Sequence, residues 1–336
     1  MRTALFHRRE AAPPPALPEI ETTPSAGAGA GAAAWAAEHA SDVLAVVAEH
    51  GAAVVTGLDL RTVSDVEAVL GGLGVPPVRE AEGFAARTPY ADGVYSSAAW
   101  PARQPMCMHH ELSYAGRFPG LLLFACLRAP GGGGATALAD AAAVLEALPS
   151  AIVERFEQEG WLLTRAYHEE IGTSLTQAFG TTDPRAIDAY CRDNGIVTDW
   201  QPDGSLRTRQ HRRAVVSHPR SGRRCWFNQV AFLNQWTMDP EVRAFLIEEY
   251  GPEGLPFNTS YGNGDGVASE AVEQINEVYE AHTVRRPWQD GDLMLVDNIR
   301  TAHSREPYEG PRQVVVAMAE PQRQAPPAAS TGRAAA

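Results

Sequence analysis

The residues with the clearest chemical potential are His109, His110 and Glu111, inside the run Gln104-Pro-Met-Cys-Met-His-His-Glu-Leu-Ser-Tyr114. On an extended strand, side chains at i and i+2 point to the same face. Strand alternation over Met106–Leu112 therefore predicts that His109 and Glu111 present an imidazole and a carboxylate to one point. With one more histidine the set becomes two histidines and a carboxylate. That donor set leaves open positions on one side of Fe(II), where oxygen chemistry takes place. His110 alternates to the other face and is expected to pack or to support the ligands.

The third corner has to come from the other histidines, ten in all. His303 has the most suggestive context: Gly291-Asp-Leu-Met-Leu-Val-Asp-Asn-Ile-Arg-Thr-Ala-His303-Ser-Arg-Glu-Pro-Tyr-Glu-Gly-Pro-Arg312. A strand over Leu293–Asp297 delivers Asp297-Asn298, and His303 follows on a short connection. A valine-rich strand over Gln313–Ala319 then places Arg312 at its start. His282 is the alternative, at the end of a helix. Arg312 also has a chemical purpose. An oxygen-activating Fe(II) site needs a two-electron co-substrate; 2-oxoglutarate, the usual one, leaves a far carboxylate that needs a charged, bidentate partner.

Several elements must position these groups. Helices are predicted over Ala34–His50, Val63–Leu73, Pro240–Tyr250 and Ser269–His282, with Asp140 capping one helix over Ala141–Gln158. Short strands are predicted at Ala52–Thr56, Val94–Ser97, Leu121–Leu127, Thr136–Ala139, Trp161–Tyr167, Leu206–Arg209, Val215–His218 and Cys225–Asn228. There is no regular strand–helix alternation, so the pattern predicts a mainly β double-sheet barrel of the jelly-roll type with helical insertions. Residues 1–32, rich in Ala, Pro and Gly, read as a flexible leader; 33–320 as a single domain; 321–336 as a flexible tail. Gly131–Gly134 lacks the Lys-Ser/Thr of a phosphate-binding loop.

Composition narrows the function. The net charge is −13 with no long basic run, which argues against nucleic acid as a partner. The apolar run Leu121–Leu127 is too short to span a bilayer. The four cysteines, Cys107, Cys126, Cys191 and Cys225, are irregularly spaced, which fits free thiols in a reducing cytoplasm. All 28 Lys+Arg positions are arginine. This points to a GC-rich bacterial genome and excludes lysine Schiff-base chemistry.

Taken in order, the blocks Val94-Tyr-Ser-Ser, Met108-His-His-Glu-Leu-Ser-Tyr114, Pro119-Gly-Leu-Leu-Leu-Phe-Ala-Cys126, Gly133-Gly-Ala-Thr-Ala-Leu-Ala-Asp140, Cys225-Trp-Phe-Asn-Gln229, Trp288-Gln-Asp-Gly-Asp292 and Asp297-Asn…His303-Ser-Arg…Gly310-Pro-Arg312 resemble the taurine dioxygenase-like (TauD/TfdA) Fe(II)/2-oxoglutarate-dependent oxygenases. The resemblance spans about residues 50–320. It is nearest to a natural-product subgroup similar to the aspartyl hydroxylase of syringomycin assembly. It implies a double-stranded β-helix core and a double role for His109, Glu111 and His303 as catalytic residues and iron ligands. It further implies that Thr136 and Arg312 hold 2-oxoglutarate, with O2 as oxidant. Halogenating relatives lack the carboxylate, so Glu111 implies hydroxylation, desaturation or ring formation. The implied substrate is a small molecule, an amino acid or a derivative, free or tethered to a carrier protein. Ser113, Tyr114, Asn228 and Arg305 are candidates to line its pocket, and Arg87, Arg103 or Arg305 to meet a substrate carboxylate.

The chain departs from the family pattern at four places. His110 stands where Asn is common, Ser304 where Gly is, and Ala135 where Glu is. Arg312-Gln313 replaces a common Arg-Arg pair. A zinc-binding barrel, hydrolase or binding protein, is the rival reading of the same three ligands.

Overall fold

The computed structural model describes residues 16–22, 30–168 and 171–324. Its largest sheet has seven strands, in the order Glu19–Glu21, Ala52–Thr56, Leu293–Asp297, Arg117–Arg128, Gln313–Arg323, Val94–Ser96 and Pro89–Ala91. A second sheet orders Thr283–Val284, Thr136–Asp140, Thr301–Arg305 and Met106–His109. Between them lies the main core.

The period of two along the central strand shows how this works. Leu122, Phe124 and Cys126 pack with Val314, Val316 and Met318 into the core shared with Met106, Met108, Ala137 and Ala302 of the second sheet. The intervening Leu121, Leu123, Ala125 and Leu127 point the other way. They meet Ala36, Val43 and Val47 of the helix Ala30–His50, and Val66, Val69 and Leu70 of the helix Val63–Gly72. Both faces of the strand are thus buried, which is why it reads as one continuous apolar run. A separate sheet, Ile196–Trp200, Leu206–Arg212, Trp161–Tyr167 and Asn258–Tyr261, forms the insertion.

The predicted strands and helices largely recur; the structure adds the helices Leu175–Phe179 and Pro184–Asp193 and the strands Pro89–Ala91, Ile196–Trp200 and Asn258–Tyr261, and it differs from expectation at the chain ends and near the site. The helix expected over Ala141–Gln158 is two, Ala141–Ala147 and Ser150–Glu159. Pro149 drives the preceding Leu148 into an extended conformation (ψ 146°) and so ends the first. Asp140 does cap it, Oδ1 accepting from Ala142 N and Ala143 N. Within the expected leader, Glu19–Glu21 is a strand parallel to Ala52–Thr56, and the first helix starts at Ala30. Residues 1–15 and 23–29 of that leader lie outside the described residues. The expected tail is entered later than 321, because the last strand pairs with the central one as far as Arg323↔Arg117; the remainder lies outside the described residues. The strand carrying the ligands stops at His109, and His303 lies on a strand, Thr301–Arg305, instead of a connection.

All four cysteines are free. No helix among the described residues is long and apolar enough to cross a membrane.

Candidate active site

Strand pairing does the first part of the assembly. His303 lies directly opposite His109 in antiparallel register, and opposite Leu138 on its other side. The two imidazoles meet with ring centroids 4.2 Å apart. A register shift follows, so that Arg305 pairs with Met106. Such an irregularity re-aims side chains at a site.

Glu111 reaches the same point by a route other than strand alternation. The chain turns after His109, and Leu112 takes a left-handed conformation (φ 54°). Asn298 fixes that turn. Its Oδ1 accepts from Glu111 N at 2.8 Å, and its Nδ2 donates to the carbonyls of Glu111 (2.9 Å) and Pro119 (2.8 Å). Gln229 donates to the His110 carbonyl at 2.7 Å, and His110 Nδ1 bonds the Asn298 carbonyl at 2.6 Å. Asn298 follows the end of the strand Leu293–Asp297, and Asp297 Oδ1 accepts from Ile299 N and Arg300 N to set the next turn. Asn298 is completely buried. Asn298→Ala is therefore expected to cost about 2–4 kcal/mol, measured by denaturant unfolding of the metal-free protein, because it removes three hydrogen bonds and leaves buried groups unpaired.

His109, Glu111 and His303 come together as a buried cluster whose candidate ligand atoms all lie within 4.8 Å of one another. His109 Nδ1 bonds the Cys107 carbonyl at 2.8 Å, which leaves Nε2 buried without a partner. His303 Nε2 lies 3.8 Å from Glu111 Oε2. Burial, reinforced by His303, pushes the His109 pKa down to about 3, so this imidazole is neutral and has a lone pair to offer. Burial alone would raise Glu111; Arg87, which donates to Oε2 at 2.9 Å, and the two histidines outweigh it and hold the carboxyl down at about 2. His110 faces away, against Phe227, and burial lowers its pKa to about 4. His282, the alternative third ligand, bonds the Val278 carbonyl as it ends its helix.

The cluster opens into a narrow pocket lined by Phe124, Thr136, Arg305, Arg312, Val314 and Val316 along with His109 and His303. Thr136 is the cross-strand partner of Arg305. Arg312 bonds the Gly134 carbonyl, and its guanidinium is ion-paired to no carboxylate among the described residues. Burial and the nearby Arg305 lower its pKa to about 10. Gln313 is exposed.

The substrate-pocket candidates fare differently. Tyr114 is fully buried and donates its hydroxyl to the Glu82 carbonyl at 2.8 Å. Asn228 donates to Ala214 O and accepts from Val230 N. Ser113 is buried away from the cavity lining. None of these three expected pocket residues lines the cavity: the turn at Leu112 carries Ser113 and Tyr114 into the core, and the bonds of Asn228 hold the loop after Arg224–Trp226. Arg305 does line the cavity, yet its Nη atoms are taken by the carbonyls of Trp100, Pro101 and Gln104. Its Nε is buried and without a partner. Arg103 is exposed, and Arg87 is committed to Glu111 and Glu80.

Residues 19–318 match the family described as taurine catabolism dioxygenase TauD, TfdA family. The chain belongs to that family. Membership makes it an oxidoreductase of the 2-oxoglutarate-dependent dioxygenase class. The dapdiamide synthesis protein DdaC of Enterobacter agglomerans is 32% identical over 276 residues, 82% of this chain and 84% of the relative. A clavaminate synthase-like protein of Arabidopsis thaliana is 26% identical over 280 residues, 80% of this chain and 82% of the relative. Among solved structures, a taurine dioxygenase from Burkholderia xenovorans superposes with a TM-score of 0.51 at 15% identity, covering 94% of this chain and 90% of that one. This last likeness bears on the fold, the jelly-roll core.

Proposed function

We propose that this oxygenase uses Fe(II) and 2-oxoglutarate to hydroxylate an unactivated C–H bond of an amino acid, or of an amino-acid-derived intermediate, in natural-product assembly. The observation that carries the reading is the joining of three elements in one cavity: a buried two-histidine, one-carboxylate cluster, a threonine, and an arginine with no carboxylate partner among the described residues. The residues fit an ion. Two neutral or orphaned imidazoles and one ionised carboxylate are donors that a first-row divalent metal takes, and a buried ring nitrogen without a partner is otherwise costly.

His109, Glu111 and His303 would hold the iron, and Arg312 with Thr136 would hold the far carboxylate of 2-oxoglutarate. Together with O2, the bound pair supplies the oxidising power for the C–H bond, and 2-oxoglutarate leaves as succinate and CO2. The chain's own contribution is placement and exclusion of water. Phe124, Val314 and Val316 make the cavity wall apolar, which strengthens every charge interaction inside it. Arg305 adds a second positive charge beside Arg312. The presence of Glu111 favours oxygen transfer over halogenation, with desaturation or ring formation set by substrate pose. Similarity to a dapdiamide synthesis protein supports the natural-product assignment. The substrate is a small molecule, free or carried on a carrier protein.

Anaerobic addition of Fe(II) and then 2-oxoglutarate is expected to produce a visible metal-to-ligand charge-transfer band. Succinate release across a panel of amino acids, free and carrier-bound, would then identify the substrate. An ion that binds the cluster without any band on adding 2-oxoglutarate would overturn the reading in favour of a zinc-type barrel.

A further inference from the structure

Arg87 is a buried cation that the site chemistry so far leaves without a task beyond neutralising Glu111. It lies in the irregular segment before the strand Pro89–Ala91, and its side chain is only 6% exposed. Every nitrogen of its guanidinium is engaged. Nε meets Glu80 Oε1 at 3.2 Å, Nη1 donates to the Ser96 carbonyl at 3.3 Å, and Nη2 donates to Glu111 Oε2 at 2.9 Å. The planar fork therefore has one orientation available to it.

The segment that carries Arg87 is itself fastened on both sides. Glu80 N donates to Tyr95 Oη at 2.8 Å. Glu82 is buried, its Oε1 accepting from Tyr190 at 2.7 Å and its carbonyl from Arg165 at 2.7 Å. Arg165 also donates to the Gly83 carbonyl at 2.9 Å, and Thr173 to that of Phe84 at 2.8 Å. The Phe84 ring then stands edge-on to His109, centroids 6.2 Å apart. A cation so fixed does not wander toward a substrate; it holds what it touches.

What it touches is a single oxygen of the cluster's carboxylate. Among the described residues, Oε1 of Glu111 accepts no hydrogen bond, whereas Oε2 accepts from Arg87 and is the oxygen 3.8 Å from His303 Nε2. Carboxylates bind metals through one oxygen or both. Building on the iron reading above, we infer that Arg87 is a positioning residue that restrains Glu111 to one donor oxygen and so keeps metal positions free for 2-oxoglutarate. Without that restraint the carboxylate can turn and bring both oxygens to the ion, competing with the co-substrate.

Cobalt(II), whose visible spectrum reports its coordination, tests this on the full chain without turnover. Relative to wild type, Arg87→Gln is expected to alter the cobalt(II) spectrum and weaken 2-oxoglutarate binding to the cobalt(II)-loaded protein about tenfold or more, the scale typical of outer-shell partners. Arg87→Lys, which restores one donor, should recover most of the affinity and the original spectrum. Glu80→Gln loosens Arg87 without touching the cluster; it should move both readouts the same way by about threefold, and it decides the matter if circular dichroism shows Arg87→Gln unfolded. A wild-type spectrum with wild-type 2-oxoglutarate affinity in Arg87→Gln, or in Glu80→Gln where only that variant folds, overturns the inference. If wild-type cobalt(II) protein ignores 2-oxoglutarate, the iron reading fails instead. The cobalt(II) spectrum alone then judges Arg87, and no difference between variant and wild type counts against it.

Discussion

Replacing Glu111 by alanine is expected to reduce substrate oxidation by about 10³-fold or more, since the metal loses one of three protein donors and its only anionic one. Two separable losses make up this result. The first is the ion: His109 and His303 remain opposite each other in register, but two imidazoles without the carboxylate hold a divalent cation far more weakly than the full set. Metal titration of the variant should show this directly, as affinity falling by about a hundredfold or more. The second is the scaffold. Glu111 is 1% exposed and accepts a 2.9 Å bond from Arg87. Its removal leaves Arg87 with Glu80 as its remaining carboxylate partner, inside a protein wall. Half-breaking a buried charge cluster costs about 3–5 kcal/mol where no water can enter, and less where the vacated space admits it. Thermal unfolding of the metal-free variant should therefore show a clear drop in Tm, whereas Glu111→Gln, which keeps the volume and an acceptor for Arg87, should lose the activity but recover much of the stability. Retention of turnover in either variant would remove Glu111 from the reaction.

The three cluster residues were legible in the sequence, but the reason for their convergence was only partly so. Alternation along a strand predicted that His109 and Glu111 share a face; in the structure the strand ends at His109 and a clamp from Asn298 brings Glu111 round. Asn298 sits 187 positions away from its partner. Such a contact leaves no local pattern, although its place in the Asp297-Asn298 pair behind an apolar strand was a visible signal that a turn with side-chain hydrogen bonds begins there. His303 does join the cluster, but from a strand and not from a connection: Thr301-Ala-His-Ser-Arg305 has no apolar alternation because it forms the inner sheet, with polar side chains facing the cavity. Arg87 illustrates the opposite difficulty. An arginine flanked by Ala86 and Thr88 in a segment without periodicity carries no sign of burial. Only the fold reveals that Glu80 and Glu111 surround it. The outer helices, by contrast, followed from their period and the central strand from its unbroken apolar run, because those elements are stabilised by the contacts that create the pattern.

Arg312 offers the second large effect, and here function and stability should move in opposite directions. Arg312→Ala is expected to weaken 2-oxoglutarate by about 10²–10³-fold, the loss of one buried, charge-assisted bidentate partner, while leaving metal affinity near that of wild type. Arg312→Lys should fall between, since an ammonium supplies charge without the fork that fits a carboxylate. Gln313→Ala should leave co-substrate binding unchanged: Gln313 is exposed, and the strand's pairing shifts register between Gln313 and Val314, which leaves the cavity to Arg312. The metal-free protein should respond otherwise. Burial and the neighbouring Arg305 both disfavour the charge on Arg312, which lowers its pKa to about 10, and the Gly134 carbonyl at 3.3 Å is weak compensation. Removing a cation that the empty cavity does not neutralise should leave Tm unchanged or raise it, and the stabilisation that saturating 2-oxoglutarate gives the wild type should vanish in the variant. A variant that unfolds more easily yet binds 2-oxoglutarate as before would assign Arg312 to the scaffold. The opposite pattern, weaker binding on an equal or firmer fold, is what a residue kept for an anionic ligand produces, because its charge is poorly stabilised until that ligand arrives.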